Sequence, residues 1–359
     1  MQRFDLIICG GGPAGASCAI TAARSGREIL VLERARFPRD KVCGDCLNPA
    51  CWPVLERLGV AEAVRKMPHA RFEAVTIITA GGREFCYDLP AVERGETGVR
   101  RRDLDAVLLA EARRVGVTVL EETAVTRLER VESGWRVRAG DAEYLARQVV
   151  AADGRNSSVA RCLGLLPPAR RERVGLQTHL PEPPAWRNTV RMNLFPEGYA
   201  GGASVGDGLW NLCLVARADD LERLKARAAS LWNVPETADW RSIAPLTRAA
   251  LPAAHPAHPG LLLVGDVARV VEPFTGEGIY YALHSGELAG ECVAGPDGEA
   301  LFAAKHRSLY RGRLWVNQLA RLAVLHPVLA SRLLENLPLR GLLARLSAKV
   351  MAPPGWPQV

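Results

Sequence analysis

What the chain lacks narrows its class first. Its 359 residues contain no internal repeat and no low-complexity tract, which excludes solenoid, collagen-like and disordered architectures. No long run is both apolar and free of charge and proline, so nothing is expected to span a membrane. The opening MQRFDLIICGGG lacks a basic, apolar, small-residue leader, so a cytoplasmic location is expected. The nine cysteines are odd in number and scattered, and in a reducing compartment they are expected as free thiols. Beside Cys43-x-x-Cys46 there is no second Cys/His pair with ligand spacing, so no metal is expected. The seven histidines form no nucleophile constellation, and no basic stripe interleaved with aromatics marks a nucleic-acid partner.

What is present reads as an ordinary globular protein of about two domains, 48% hydrophobic and 24% charged. The net charge of +7 is local. Residues 301–350 carry nine Lys or Arg against the single acid Glu335. Leu333, Leu334, Leu337, Leu342, Leu343 and Leu346 lie in the same stretch. Two readings stay open: a helical cap with its arginines in solvent, or peripheral contact with an anionic lipid surface, such as the inner face of the cell membrane.

The opening reads as strand, glycine turn, helix and strand (FDLIIC, GGGPAG, ASCAITAARSG, EILVLER). A helix is predicted at 102–114, short alternating segments at 117–121, 134–139 and 142–147, and a buried strand at 148–154. Residues 171–216 alternate with the two-residue rhythm of an antiparallel sheet. A charged helix at 217–231, a strand at 258–266 and helices from Gly276 onward, broken at Pro327 and Pro338, complete the pattern. Parallel-type strands at both ends predict one nucleotide-binding domain from 1–68, 95–165 and 256–300. Residues 69–94 and 166–255 would form an inserted β-rich substrate domain, and 301–359 a basic helical extension.

Gly10-Gly11-Gly12-Pro13-Ala14-Gly15 fits G-x-G-x-x-G between a strand and a helix, the context in which a helix N-terminus takes a pyrophosphate. Gly10 allows the tight turn, Gly12 the close approach of phosphate, and Gly15 close helix–strand packing. Glu33, 23 residues after Gly10, ends the second strand where a carboxylate meets ribose hydroxyls; Arg34 follows it. Two more strand ends stand out: Asp153-Gly154, and Gly265-Asp266 followed by Pro273-Phe274-Thr275-Gly276-Glu277-Gly278.

With these motifs the chain resembles the flavoprotein superfamily of para-hydroxybenzoate hydroxylase, flavin-dependent halogenases and geranylgeranyl reductases. The resemblance implies a three-layer, Rossmann-like α/β fold that binds FAD. It gives Asp266 to the ribitol, the turn bearing Pro273, Gly276 and Gly278 to the flavin ring and phosphate, and Asp153 and Gly154 to FAD and NAD(P)H. It also gives Arg101, at a helix start, to FAD. Lys41-x-Cys43-Gly44 looks like the geranylgeranyl reductases, in which this loop lies beside the flavin. Cys43 and Gly44 are thereby implied as flavin-side residues, with Cys43 a candidate catalytic thiol, and Cys46 stands where relatives commonly have Gly. The reductases' Tyr-x-Trp-x-Phe-Pro is met here by Arg191-Met192-Asn193-Leu194-Phe195-Pro196, so Arg191, Asn193, Phe195 and Pro196 become candidate substrate residues. The halogenases' Trp-x-Trp-x-Ile-Pro is absent.

The resemblance thus implies an FAD-dependent oxidoreductase whose substrate is a small, apolar molecule. The leading expectation is hydride transfer from reduced FAD to a C=C bond of a lipid-like, isoprenoid or polyketide substrate. The alternatives are a monooxygenase, hydroxylating or epoxidising through a flavin hydroperoxide, and an electron-transfer flavoprotein docking a protein or quinone. NAD(P)H or a separate reductase would supply the electrons.

Overall fold

The computed structural model describes residues 1–89, 95–165, 173–243, 256–295, 297–336 and 340–351. The break expected at Pro338, and the parts of the expected domains that fall in 90–94, 166–172, 244–255 and 352–359, lie outside the described residues.

Five parallel strands form the heart of an eight-stranded sheet, in the order Leu261–Leu263, Ala142–Ala151, Gln2–Cys9, Ile29–Leu32 and Thr118–Leu120. Alternation along the first strand sends Leu6 and Ile8 to one face and Ile7 and Cys9 to the other, all fully buried. The first face carries the helices Pro13–Ala23, Arg101–Arg114 and Gly278–Cys292. The second is covered by the strands Val125–Val131 and Gly134–Ala139, which bring Leu128, Trp135 and Val137. The result is the three-layer α/β arrangement expected.

Two sequence expectations change in detail. The segments at 142–147 and 148–154 are one ten-residue strand, because its first half pairs with the neighbouring hairpin and its second half with the parallel core. The first helix begins at Pro13 rather than after the glycine turn, since proline's fixed φ suits the first helical position.

A second, seven-stranded sheet runs Arg241–Ile243, Arg173–Pro181, Leu209–Arg217, Gly198–Ser204, Thr189–Phe195, Ala74–Ile78 and Glu84–Asp88. Its pairings are antiparallel except between Thr189–Phe195 and Ala74–Ile78. The charged helix Leu221–Trp232 packs on one face through Leu224 and Ala228. A three-stranded ribbon of Cys46–Leu47, Thr97–Gly98 and Ala70–Arg71 lies between the sheets. It is pressed on the second sheet at Gly98, where a Cβ would fall 1.9 Å from the Ser204 carbonyl oxygen.

The chain ends in helices Gly298–Tyr310, Leu314–Leu325, Pro327–Asn336 and Arg340–Met351. The first packs in the core of the first sheet through Phe302, Leu309 and Tyr310, while Val324, Ala330 and Leu334 of the next two pack against Leu194 and Tyr199 of the second sheet. Among the described residues, no helix is long and apolar enough to cross a membrane.

Candidate functional site

One cavity of about 830 Å3 runs between the two sheets. All the cofactor residues expected from the sequence line it except Gly15, which lies behind Gly10. Gly10 has φ +109°, and a Cβ there would meet the Ala152 carbonyl oxygen at 2.6 Å. Gly12 caps the first helix with no side-chain bond, leaving backbone N–H groups of its first turn open to a ligand. A Cβ at Gly44, Gly154 or Gly278 would touch nothing within 4 Å, so these backbones border open space.

Glu33 is buried and accepts hydrogen bonds from the N–H groups of Gly11 (2.7 Å) and Ala35 (2.9 Å). The carboxylate is thereby fixed, with lone pairs left for hydroxyl donors. Asp153 accepts from the N–H groups of Ser158 (2.6 Å) and Val159 (3.3 Å), and so caps the short helix Ser158–Cys162 while bordering the cavity.

Five cations line the cavity, Arg34, Arg39, Lys41, Arg101 and Arg155. Arg101 holds Asp105 in a bidentate pair at 2.8 and 2.7 Å, Arg39 shares the same carboxylate at 3.1 Å, and Arg155 reaches Asp266 at 3.0 Å. Lys41 is pushed down to about 8, by burial first and then by Arg101, Arg155 and Arg39, against the pull of Asp266. Of these five, Arg34 and Arg101 are the cofactor residues expected from the sequence. The signal for Lys41 was its place in Lys-x-Cys-Gly.

The Cys43 loop is clamped by the second sheet. Its carbonyl oxygen accepts from Gln177 Nε2 at 2.8 Å, Asn211 Nδ2 at 2.9 Å and the Cys213 thiol at 3.2 Å. Asp45 beside it is buried and bonded to His179 Nε2 (2.9 Å) and Gln177 Nε2 (3.1 Å). Burial raises the thiols of both Cys43 and Cys46, so both stay protonated, and neither forms a disulfide. Opposite lies the turn Pro273–Thr275, closed by Gly276 at φ +67° and leading into helix Gly278–Cys292. Glu277 is fully buried there, takes a bond from the Tyr281 hydroxyl at 3.2 Å and faces Arg313 at 3.7 Å.

Beyond the polar end the cavity becomes an apolar chamber. Val75, Ile77, Val190, Met192, Leu194 and Tyr199 of the second sheet form its floor, and Leu319, Leu333, Leu334, Leu343 and Leu346 of the terminal helices its roof. The structure does not bring Arg191, Asn193, Phe195 or Pro196 to this chamber. The two-residue period of the strand sends Met192 and Leu194 inward, while Phe195 packs with Trp210 and Trp232 behind the sheet. Arg191 lies over Trp186 and pairs with Glu84 at 3.0 Å. Alternation was legible at 189–195, but the face could be chosen only once the sheet's neighbours were in place.

A glycine turn at a helix start, a fixed carboxylate at a strand end and a cluster of Arg39, Lys41 and Arg101 in the same cavity suit a dinucleotide carrying a pyrophosphate. The fold and the site define a flavin-binding oxidoreductase. A family model described as an FAD binding domain matches residues 3–186. The chain is 31% identical to a menaquinone reductase of Mycolicibacterium smegmatis over 81% of its own length and 76% of the relative's. It is 30% identical to digeranylgeranylglycerophospholipid reductase 2 of Methanopyrus kandleri, over 82% and 77% respectively. The solved flavin-dependent brominase Bmp2 shares the fold, with TM-score 0.75 and 21% identity over 99% of this chain and 96% of that one. The chain belongs to the FAD-dependent oxidoreductases of the geranylgeranyl reductase family.

Proposed function

We propose that the chain reduces a carbon–carbon double bond in the isoprenoid portion of a lipid. The observation that carries this reading is that cradle and chamber are one continuous cavity, polar at one end and aliphatic at the other. Relatives named as menaquinone and digeranylgeranylglycerophospholipid reductases support it. FAD, when bound, supplies the two electrons, replenished by NAD(P)H or a separate reductase.

The residues divide the remaining work. The first helix's N-terminus with Arg39, Lys41 and Arg101 would hold the pyrophosphate, Glu33 a ribose and Asp266 the ribitol. The turn Pro273–Gly278 and the helix it opens would favour negative charge at the flavin ring. Gln177 and Asn211 fix the Cys43 backbone, which would give that loop a positioning role toward the flavin in which Cys43 stays a neutral thiol. The aliphatic chamber binds the prenyl chain and keeps water from the reacting carbons.

The chamber's roof also suggests where the substrate comes from. Leu319 and Leu333 line the cavity and are about half exposed, 49% and 48%. Trp315, Leu322, Val328, Leu329 and Leu342 are exposed on the last three helices, and the cations Arg311, Arg332, Arg345 and Lys349 are exposed in the same stretch. Such a face suits an anionic lipid surface from which the substrate enters.

The test is anaerobic mixing of reduced holoprotein with menaquinone, or with a geranylgeranyl glycerolipid, in vesicles containing anionic lipid. Oxidation of the flavin with a product two hydrogens heavier is expected. A product that gains oxygen in air would favour the monooxygenase, and flavin oxidation by a protein partner alone the electron carrier. Failure to sediment with anionic vesicles would remove the membrane contact.

A further inference from the structure

The reduction just proposed needs a proton as well as electrons, and none of the residues assigned so far supplies it. We propose that Glu96 is the catalytic acid, delivering its proton to the substrate carbon that does not receive the hydride. This deepens the reading above and rests on it.

The three-stranded ribbon places Glu96 where the two halves of the cavity meet. Thr97–Gly98 pairs with Cys46–Leu47, and the Glu96 carbonyl oxygen accepts from the Phe72 N–H at 2.9 Å. The carboxyl is 7% exposed, lines the cavity and accepts from the Cys46 thiol through Oε1 at 3.0 Å. A Cβ at Gly276 would lie 3.2 Å from that same oxygen and 3.8 Å from Cys46 Sγ, so the pair abuts the turn expected beside the flavin ring. Cys46 also packs with Phe72, Val75 and Ile77, of which Val75 and Ile77 line the apolar chamber. Glu96 makes no ion pair among the described residues. Cys46 serves here as the thiol that orients this carboxyl.

The groups facing Glu96 are Cys46 on the paired strand, Cys51 at the start of helix Cys51–Arg57, and Glu277 across the turn, itself turned toward Arg313. Burial and the neighbouring Glu277 raise Glu96 to about 7, against the Cys46 hydrogen bond. A neutral carboxylic acid is thus available near neutrality, as proton donation requires. The double bond takes two electrons and one proton as hydride from the reduced cofactor at one carbon. At the other carbon a C–H bond forms as the Glu96 O–H bond breaks. Glu96 is left as carboxylate and is reprotonated from solvent, and a nicotinamide-class reductant or a reductase restores the cofactor.

The variants are Glu96→Gln and Glu96→Asp, studied as FAD-loaded protein. An infrared titration of wild type without substrate should show a carboxyl with a midpoint near 7 that Glu96→Gln removes and Glu96→Asp retains. In single turnovers on the geranylgeranyl glycerolipid, wild type should slow about tenfold per pH unit above that midpoint. Glu96→Gln should be at least roughly a hundredfold slower and flat with pH, with lipid affinity unchanged. Absence of the titrating carboxyl, or a Glu96→Gln rate equal to wild type, overturns the proposal. If wild type itself reduces no prenyl lipid, the functional reading falls and takes this one with it. A fully active wild type beside an equally active Glu96→Gln sinks the acid alone.

Discussion

Lys41 makes the cationic wall testable through proton counting. In the protein without flavin, burial and three neighbouring guanidinium groups hold its ammonium at about 8, below the ordinary 10.5. A pyrophosphate placed among Arg39, Lys41 and Arg101 would return the missing negative charge and raise Lys41 again. The sign follows directly. Below about 8 the ammonium is charged with or without ligand, so binding moves no proton. Above it the ammonium is mostly neutral without ligand and charged with it, so FAD binding takes up close to one proton. Affinity should then fall by up to about tenfold per pH unit, each unit being about 1.4 kcal/mol. The stability of the flavin-free protein should move oppositely. The unfolded chain binds the extra proton between about 8 and 10.5, so stability rises with pH through that window. Lys41→Met should lose about 2 kcal/mol of FAD binding near neutrality, roughly thirtyfold in Kd, and lose the pH slope as well. Calorimetry of FAD binding in two buffers of different ionisation heat counts the protons. Flavin fluorescence quenching gives the affinities, and proton loss by the flavin itself is common to both proteins and cancels. No proton uptake at about pH 9, or the same slope in Lys41→Met, would refute the placement of Lys41 against the pyrophosphate.

Two further outcomes test the packing and the chamber. Gly286→Ala places a Cβ 2.0 Å from the Ala14 carbonyl oxygen, where helix Gly278–Cys292 crosses the first helix. Denaturant unfolding should show a loss of about 1–3 kcal/mol or more, with weakened FAD retention because the glycine turn rides on that crossing. Met192→Trp fills the chamber floor and should weaken prenyl-lipid binding at least about tenfold while leaving FAD content intact. Arg191→Ala, on the opposite face of the same strand, should leave lipid binding unchanged; the reverse ranking in a binding titration would show that the chamber has been misassigned.

How much of this was legible in the sequence depended on how local the cause was. The glycine turn and the strand ends at Asp153-Gly154 and Gly265-Asp266 announce themselves because the positive φ at Gly10, Gly154 and Gly265 favours glycine, and Glu33 because it closes a short apolar strand at a fixed spacing. Ile29–Leu32 and the buried end of Gln2–Cys9 were equally plain, buried on both faces and therefore apolar, whereas 117–121 and 142–147 read only as alternating segments. The substrate side was not plain. Thr189–Phe195 has a large apolar side chain on each face, since Met192 and Leu194 meet the chamber while Phe195 meets Trp210 and Trp232 behind the sheet. Alternation alone does not say which face holds a ligand. Glu96 gave no signal at all, because its meaning comes from Cys46, 50 residues away, and from a turn 180 residues further on.

That distribution also explains the order of the elements. The polar end of the cavity is built by the ends of parallel strands and the starts of helices, so its residues sit in short motifs that survive insertion between them. The chamber is assembled from the faces of strands near residue 75, near residue 192 and from helices beyond residue 314, none of which binds anything alone. The ribbon at 46, 70 and 97 joins the two, with the Gly98 backbone against the second sheet and the Glu96 carboxyl against the cofactor-side turn. A shift of that ribbon by half an ångström would therefore separate acid from substrate without touching either sheet. Gly98→Ala, which puts a Cβ 1.9 Å from the Ser204 carbonyl oxygen, should on this argument depress turnover far more than it depresses FAD content. Parallel losses of both would mean that the ribbon supports the fold alone.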